Sequence, residues 1–294
     1  LWDYGLGTSD NPTFPGMYAW SLLSTGASLQ AMELVDSGEV ECAFNIAGGL
    51  HHAAAARAAG FCYFNDAAVV IKHLLRRGRR VAYVDIDAHH GDGVQFGFYE
   101  TDEVLTISIH ESGETLFPGT GFAEEIGRGR GIGHAVNVPL LAGSDDEVFL
   151  WALDQVVPPL LTAFNPDVVV TQLGADTHRT DPLTNLAMTT TGFAEAVRRL
   201  QPLCRRWIAL GGGGYNLENV PRSWTLAWAT MNAREVPDEM PGSFLTAFQR
   251  LGFRATRLRD DPTPVEAATR EQAWRFVREQ VHRIHRLVFP HHGL

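Results

Sequence analysis

Two acids and a histidine at the end of an apolar run are where chemistry begins in this sequence. In Tyr83-Val84-Asp85-Ile86-Asp87-Ala88-His89-His90-Gly91-Asp92-Gly93, apolar residues lead into three carboxylates and two imidazoles, and glycines close the stretch. Asp87 and His89 are two apart, so on an extended backbone their side chains point to the same side. One carboxylate and one imidazole make half of a zinc shell. A third ligand has to come from elsewhere. Asp176 can supply it, in Leu173-Gly174-Ala175-Asp176 just after Val168, Val169 and Val170; taken alone, it also reads as a helix cap. Together Asp87, His89 and Asp176 would hold one divalent ion and leave a position open for water. A zinc ion there lowers the pKa of that water from about 15.7 towards ~7.

Other loops carry groups that such a site needs. His51 and His52 follow Gly48-Gly49. Adjacent histidines are costly to bury unpaired, and each needs an acid to fix its tautomer. Pairing His51 with Asp85 and His52 with Asp92 accounts for all four residues. One imidazole could then take a proton from water and return it to a leaving amine. Tyr215 follows four glycines. It is either a turn residue or a phenol aimed at a carbonyl oxygen. Phe61, after Gly60, and Phe117, before Pro118-Gly119, lie in loops. Two facing rings would form an apolar slot that admits an extended alkyl chain; core burial of either ring is the alternative.

These residues fall at the ends of β-branched runs. Strands are expected at 42–46, 81–86, 104–109, 167–172 and 207–210, and helices at 64–77, 145–164, 192–204 and 217–232. Continuous apolar strands alternating with helices make an α/β fold, an open parallel sheet with helices on both faces. Ligands of such sheets sit beyond the carboxyl ends of the strands, where five loops carry the unusual residues. Beyond about Asn232 the pattern weakens until 265–289, where Val265, Ala268, Ala273, Phe276, Val277, Val281, Ile284 and Val288 keep helical spacing. That is an amphipathic C-terminal helix packed on the domain. His282, His285, His291 and His292 are read as solvated.

The 294 residues are 45% hydrophobic, enough for one large α/β domain or two small ones. A net charge of −10 argues against nucleic acid. No uninterrupted apolar run reaches the roughly 18 residues that span a bilayer, so no membrane partner is expected. Cys42, Cys62 and Cys204 are far apart with no CxxC pair and read as reduced core thiols of a cytoplasmic protein. The pattern gives no oligomeric state.

Six motifs, in order, closely resemble the histone deacetylase superfamily: Gly48-Gly49-Leu50-His51-His52-Ala53, Gly60-Phe61-Cys62-Tyr63-Phe64-Asn65-Asp66, Asp85 to Gly93, Phe117-Pro118-Gly119-Thr120-Gly121, Gly174-Ala175-Asp176 and Gly211 to Asn216. The likeness runs from about Tyr4 to about Thr230 and is greatest to the bacterial acetoin-utilization branch. It implies an arginase/deacetylase-like three-layer architecture and zinc-dependent removal of acetyl from an amine, with iron(II) as the alternative metal. Asp87, His89 and Asp176 are implied as ligands, His52 as general base and acid, His51 as its electrostatic partner, and Tyr215 as the group polarising the carbonyl. Gly60, Phe61, Phe117 and Leu183 would line the tunnel, and Asp10 matches a rim acid that grips substrate backbone. One or two structural potassium ions are implied. The inner would use Asp85, Asp87, His89, Ser108 and Ile109; the outer would use Phe98, Thr101 and Val104, with His134 where the family usually has tyrosine. The family also carries a strand and helix ahead of Trp2. The resemblance therefore implies a single deacetylase domain over 1–294 lacking that N-terminal pair.

The implied substrate is an acetylated protein or a small acyl-amine. An acetylpolyamine deacetylase is one rival, with Glu111 and Glu114 as acids at the mouth. A two-manganese ureohydrolase and a silent binder of acetylated ligands are the others.

Overall fold

The computed structural model describes residues 1–294. In chain order the elements are α1 (Met17–Asp36), β1 (Cys42–Asn45), α2 (Asp66–Arg76), β2 (Val81–Asp85), α3 (Asp92–Gly97), β3 (Val104–Glu111), β4 (Ala135–Leu140), α4 (Asp146–Phe164), β5 (Val168–Gln172), α5 (Thr190–Leu200), β6 (Trp207–Leu210), α6 (Val220–Met231), α7 (Gly242–Arg250) and α8 (Ala267–Leu287). The six strands form one parallel sheet in the order β1-β6-β5-β2-β3-β4.

Alternation along β2 shows how the layers form. Val81 and Tyr83 point into a core shared with α1, α2 and α3, while Ala82 and Val84 point into a larger one shared with α4, α5 and α8. Both faces are covered, so the central strands are apolar throughout. The expected α/β class and helices on both faces are present. α4 is long and apolar enough by composition to cross a membrane, although Asp154 and Gln155 interrupt its apolar run. Its ten buried residues, from Val148 to Phe164, pack on the sheet instead, so it is a core helix.

The strand order creates one place for a site. From β2 the chain continues to β3 on one side; from β5 it continues to β6 on the other, and β2 and β5 are neighbours. At such a reversal the loops diverge and leave a crevice beyond the strand ends. Asp87 lies two residues past β2 and Asp176 four past β5, both at that crevice.

The five expected strands are present with bounds shifted by up to two residues, and β4 is additional. Three of the expected helices lie inside their anticipated limits; α5 begins two residues before its limit and ends at Leu200, and 201–203 is a 3-10 turn. α8 covers most of 265–289, burying Ala273, Val277, Val281 and Ile284. Two histidines of the C-terminal segment are not simply solvated. His285 Nε2 meets the Gln155 carbonyl at 3.2 Å and His292 Nε2 the Gly133 carbonyl at 2.7 Å, so both anchor the C-terminal segment. All three cysteines are free; Cys62 is buried, but Cys42 and Cys204 are only partly so.

Candidate metal centre and active site

The crevice brings Asp87, His89 and Asp176 together, with their ligand atoms within 4.8 Å of one another. His89 Nδ1 stands 3.0 Å from Asp87 Oδ1 and 3.0 Å from Asp176 Oδ2. Tetrahedral ligands at about 2.0–2.1 Å from one ion lie about 3.3 Å apart, so this spacing fits a single divalent cation. All three side chains are buried, and two carboxylates face each other out of water. Burial, then the charge of Asp87, pushes Asp176 up to about 7. Asp87 is held well below the usual range, against its burial, by His51 and His89. His89 is raised to about 11, also against burial, by hydrogen bonds to Asp176 and Asp87. Such a cluster retains a cation, whether a proton or a metal ion.

Outer contacts hold these ligands still. Gln172 Nε2 donates to Asp87 Oδ2 at 2.7 Å, and its Oε1 accepts the Gly174 N–H at 2.7 Å. The Gly213 N–H also reaches Asp87 Oδ2, at 2.8 Å. Gly213 has to be glycine, because a Cβ there would lie 2.1 Å from Asp176 Oδ2. Ala88 N–H donates to Asp176 Oδ1 at 2.8 Å. Gln172 sits inside an apolar strand and was not among the expected site residues.

The histidine loop is built from its neighbours. Asn65 caps α2 by accepting the Ala68 N–H at 2.8 Å, and its amide donates to the carbonyls of His51 and Ala53. Buried Asp66 accepts the N–H groups of Gly49 and Leu50 and the Ser28 hydroxyl. The two rings then make the anticipated pairs, His51 Nδ1 with Asp85 Oδ2 at 2.8 Å and His52 Nδ1 with Asp92 Oδ1 at 2.7 Å. Both carboxylates therefore leave Nε2 to face the site, where the two Nε2 atoms are 3.0 Å apart.

The rings are driven apart in charge. His51 is raised to about 9, because Asp85, Asp87 and Asp92 together outweigh its burial. His52 is lowered to about 4 by burial and then by the charge on His51, with Asp92 opposing. Near neutral pH one ring is charged and its neighbour is a free base, the division of labour that proton transfer needs.

A cavity of about 220 Å³ opens onto this cluster, lined by Asp10, His52, Gly60, Phe61, His89, Leu116, Phe117, Leu183 and Tyr215. Phe61, Phe117 and Leu183 are 47%, 45% and 44% exposed, which decides against core burial. Phe117 packs edge-on against His52 at 5.0 Å, and Phe61 against Tyr215 at 5.7 Å. Gly60, at φ +50°, lets the chain turn where a Cβ would strike the His52 ring at 2.4 Å. Burial first, then Asp176 and Asp87, holds the Tyr215 phenol well above its ordinary range, so it stays a hydrogen-bond donor. Leu116 was not anticipated. A larger apolar hollow of about 550 Å³ beside Tyr4, Tyr18 and Phe64 touches none of these reactive side chains.

One expected rim acid is misplaced. Glu111 ends β3 fully inside the protein, where it accepts from the backbone and side chain of Asn185. It braces a loop and faces no solvent, leaving Glu114 as the exposed acid of the pair. Of the implied potassium ligands, Asp85 and Ser108 are register partners on β2 and β3. Ile109 follows on β3, Val104 begins it, and Phe98 and Thr101 lie in the turn after α3. His134 meets the Ile132 carbonyl at 3.2 Å through Nδ1 and stacks near His292.

A family model described as histone deacetylase domain matches residues 2–231. The acetoin utilization protein AcuC of Bacillus subtilis (strain 168) is 44% identical over 254 residues, 84% of this chain and 66% of that protein. Human histone deacetylase 1 is 42% identical over 232 residues, 79% of this chain and 48% of that protein. The chain thus spans just under two thirds of one relative and about half of the other. Among solved structures, an HDAC homolog complexed with SAHA superposes with a TM-score of 0.85 at 37% identity, covering 95% of this chain and 76% of that one. An HDAC homolog from Aquifex aeolicus gives 0.82 at 36%, with the same coverage.

Proposed function

This chain belongs to the histone deacetylase family, and from that premise we propose that it is a hydrolase that removes acetyl groups from amines, most simply from acetyl-lysine side chains of proteins. The observation that carries the reading is the convergence of Asp87, His89 and Asp176 at the floor of a narrow cavity whose walls include His52 and Tyr215. Those three residues would hold one zinc ion, with iron(II) as the alternative. When bound, the ion supplies Lewis acidity towards the acetyl carbonyl and the attacking water.

The chain's own groups do the rest. Phe61, Phe117 and Leu183 align the alkyl arm of the substrate and exclude water from it. His52, neutral above about pH 4, takes a proton from water as oxygen attacks the carbonyl carbon. Tyr215 donates a hydrogen bond to the carbonyl oxygen as negative charge grows there. His51, charged beside Asp85, supplies positive potential to the same region. His52 then delivers its proton to the amine nitrogen as the C–N bond breaks, leaving acetate and a free amine. Asp10 at the mouth would accept from the backbone of a peptide. Potassium is part of the proposal at Asp85, Asp87, His89, Ser108 and Ile109, with Phe98, Thr101 and Val104 for a second ion.

Burial of Glu111 removes one of the two acids that favoured a polyamine substrate. Rates on acetylputrescine and on an acetyl-lysine peptide separate the two, and faster turnover of the polyamine would reverse the assignment. His52→Ala and Tyr215→Phe should each lower turnover of the peptide by about two orders of magnitude or more. Near-parent turnover by either variant contradicts the role given to that residue.

A further inference from the structure

Tyr215 ends a run of four glycines, and such a run has little stiffness of its own. Something outside it has to aim the phenol. Three contacts tie the exit of the run to the loop after β5. Tyr215 N–H donates to Asp181 Oδ2 at 2.8 Å, Asn216 Nδ2 to the Thr180 carbonyl at 3.0 Å, and Asn219 Nδ2 to His178 Nδ1 at 2.7 Å. All three acceptors lie in His178-Arg179-Thr180-Asp181, so the direction of the phenol follows from how that tetrapeptide is held.

The tetrapeptide is held in turn from a distant segment. His178 Nε2 stands 2.7 Å from Asp260 Oδ2. A carboxylate there selects the Nε2–H tautomer and leaves Nδ1 to accept from Asn219 and from the Thr180 N–H. The other oxygen of Asp260 accepts from Arg222 Nη2 at 2.5 Å. Arg222 lies on α6, which begins just after the tyrosine run, and its Nη1 donates to Asn219 Oδ1 at 3.0 Å. His178 and Arg222 are both buried. One carboxylate, from the stretch between α7 and α8, therefore grips the loop after β5 and the first turn of α6, which flank Tyr215.

We propose that Asp260 is a positioning residue for Tyr215, fixing the phenol through His178 on one side and Arg222 on the other. This rests on the reading of Tyr215 as the group that polarises the carbonyl. Asparagine at 260 keeps the shape, but it replaces one acceptor with an amide donor, which then faces either the His178 N–H or the Arg222 guanidinium. The phenol would be displaced with the site otherwise intact.

A double-mutant cycle tests it. Asp260→Asn should lower kcat on an acetyl-lysine peptide by about 10- to 100-fold, with KM within about twofold. In the Tyr215→Phe background the same change should lower kcat by less than about twofold, because the group it positions is gone. Metal content should match the parent throughout. Equal losses in both backgrounds, or no loss in the parent, overturn the proposal. If Asp260→Asn does not yield folded protein, His178→Gln is read in the same cycle with the same criteria. A Tyr215→Phe enzyme as fast as the parent ends the underlying reading, and it shows in the single variant before Asp260 is touched.

Discussion

Replacing Asp85 with asparagine removes one charge and almost no volume, and the pH profile reads what that charge does to His51. Asp85 Oδ2 meets His51 Nδ1 at 2.8 Å and the Tyr83 hydroxyl at 2.7 Å. An amide oxygen can still accept from both donors, but the amide nitrogen then faces the Asp87 N–H that Asp85 Oδ1 accepts at 3.1 Å, so metal content is measured alongside. Burial alone would drive the ring below 6.5; Asp85 is the first of the charges that reverse this and carry it to about 9. The interval from 6.5 to about 9 is worth about 3 kcal/mol, and losing the first of the charges that hold the ring there should bring it down towards neutrality. In the proposed reaction His51 works charged, so kcat/KM falls as pH rises through its pKa. The alkaline limb should therefore move to lower pH in Asp85→Asn. The acid limb belongs to His52, which stops acting as a base as pH falls through its own value near 4. His51 is still protonated at that pH in the variant, so the acid limb should stay near its parent position while the alkaline limb moves. A bound divalent ion lowers both rings together, so parent and variant are compared on the same metal. The assay is kcat/KM for one acetyl-lysine peptide between about pH 4 and 10, read as limb positions independent of absolute rate. An alkaline limb within about 0.3 pH unit of the parent refutes the charge role of His51.

Gly213→Ala should abolish stoichiometric metal binding, because its Cβ would lie 2.1 Å from Asp176 Oδ2; one ion per chain measured by elemental analysis would contradict this. Gln172→Leu strands the Gly174 N–H and removes a donor from Asp87, so metal affinity should fall by about 10- to 100-fold in a competition titration. Leu116→Ala widens a cavity of about 220 Å³ and should raise the rate on butyryl-lysine relative to acetyl-lysine; an unchanged ratio would show that Leu116 does not limit the acyl group.

Strands buried on both faces were readable because nothing interrupts their apolar runs; β5 is the plain case. β4 escaped because Asn137 and Pro139 break its run, and its place at the sheet edge is what tolerates the proline. α1 was hidden for the opposite reason. Over its first three turns the buried side carries Ser21, Ser24, Thr25 and Ser28 while Tyr18, Trp20, Leu22 and Leu23 are exposed, and only near its end do Ala31, Met32 and Val35 restore the ordinary amphipathic pattern. Reactive residues were legible because carboxylates and histidines are costly inside a protein unless they are used or paired. Residues that hold them were not. Gln172, Asp181 and Asp260 act through pairings across 85, 34 and 82 positions, and no local pattern encodes those. Glu111 misled because the end of a strand beside a site can brace a loop as readily as it can face a substrate.

Metal content and turnover measured on one preparation test the central claim most directly. Chelated protein is titrated with zinc while acetate release from an acetyl-lysine peptide is followed, for the parent and for Asp176→Asn. The account predicts that parent activity rises linearly and saturates at one ion per chain, and that the variant neither retains the ion nor turns over. Full activity without metal, saturation at two ions, or an Asp176→Asn enzyme that binds and hydrolyses like the parent would contradict it.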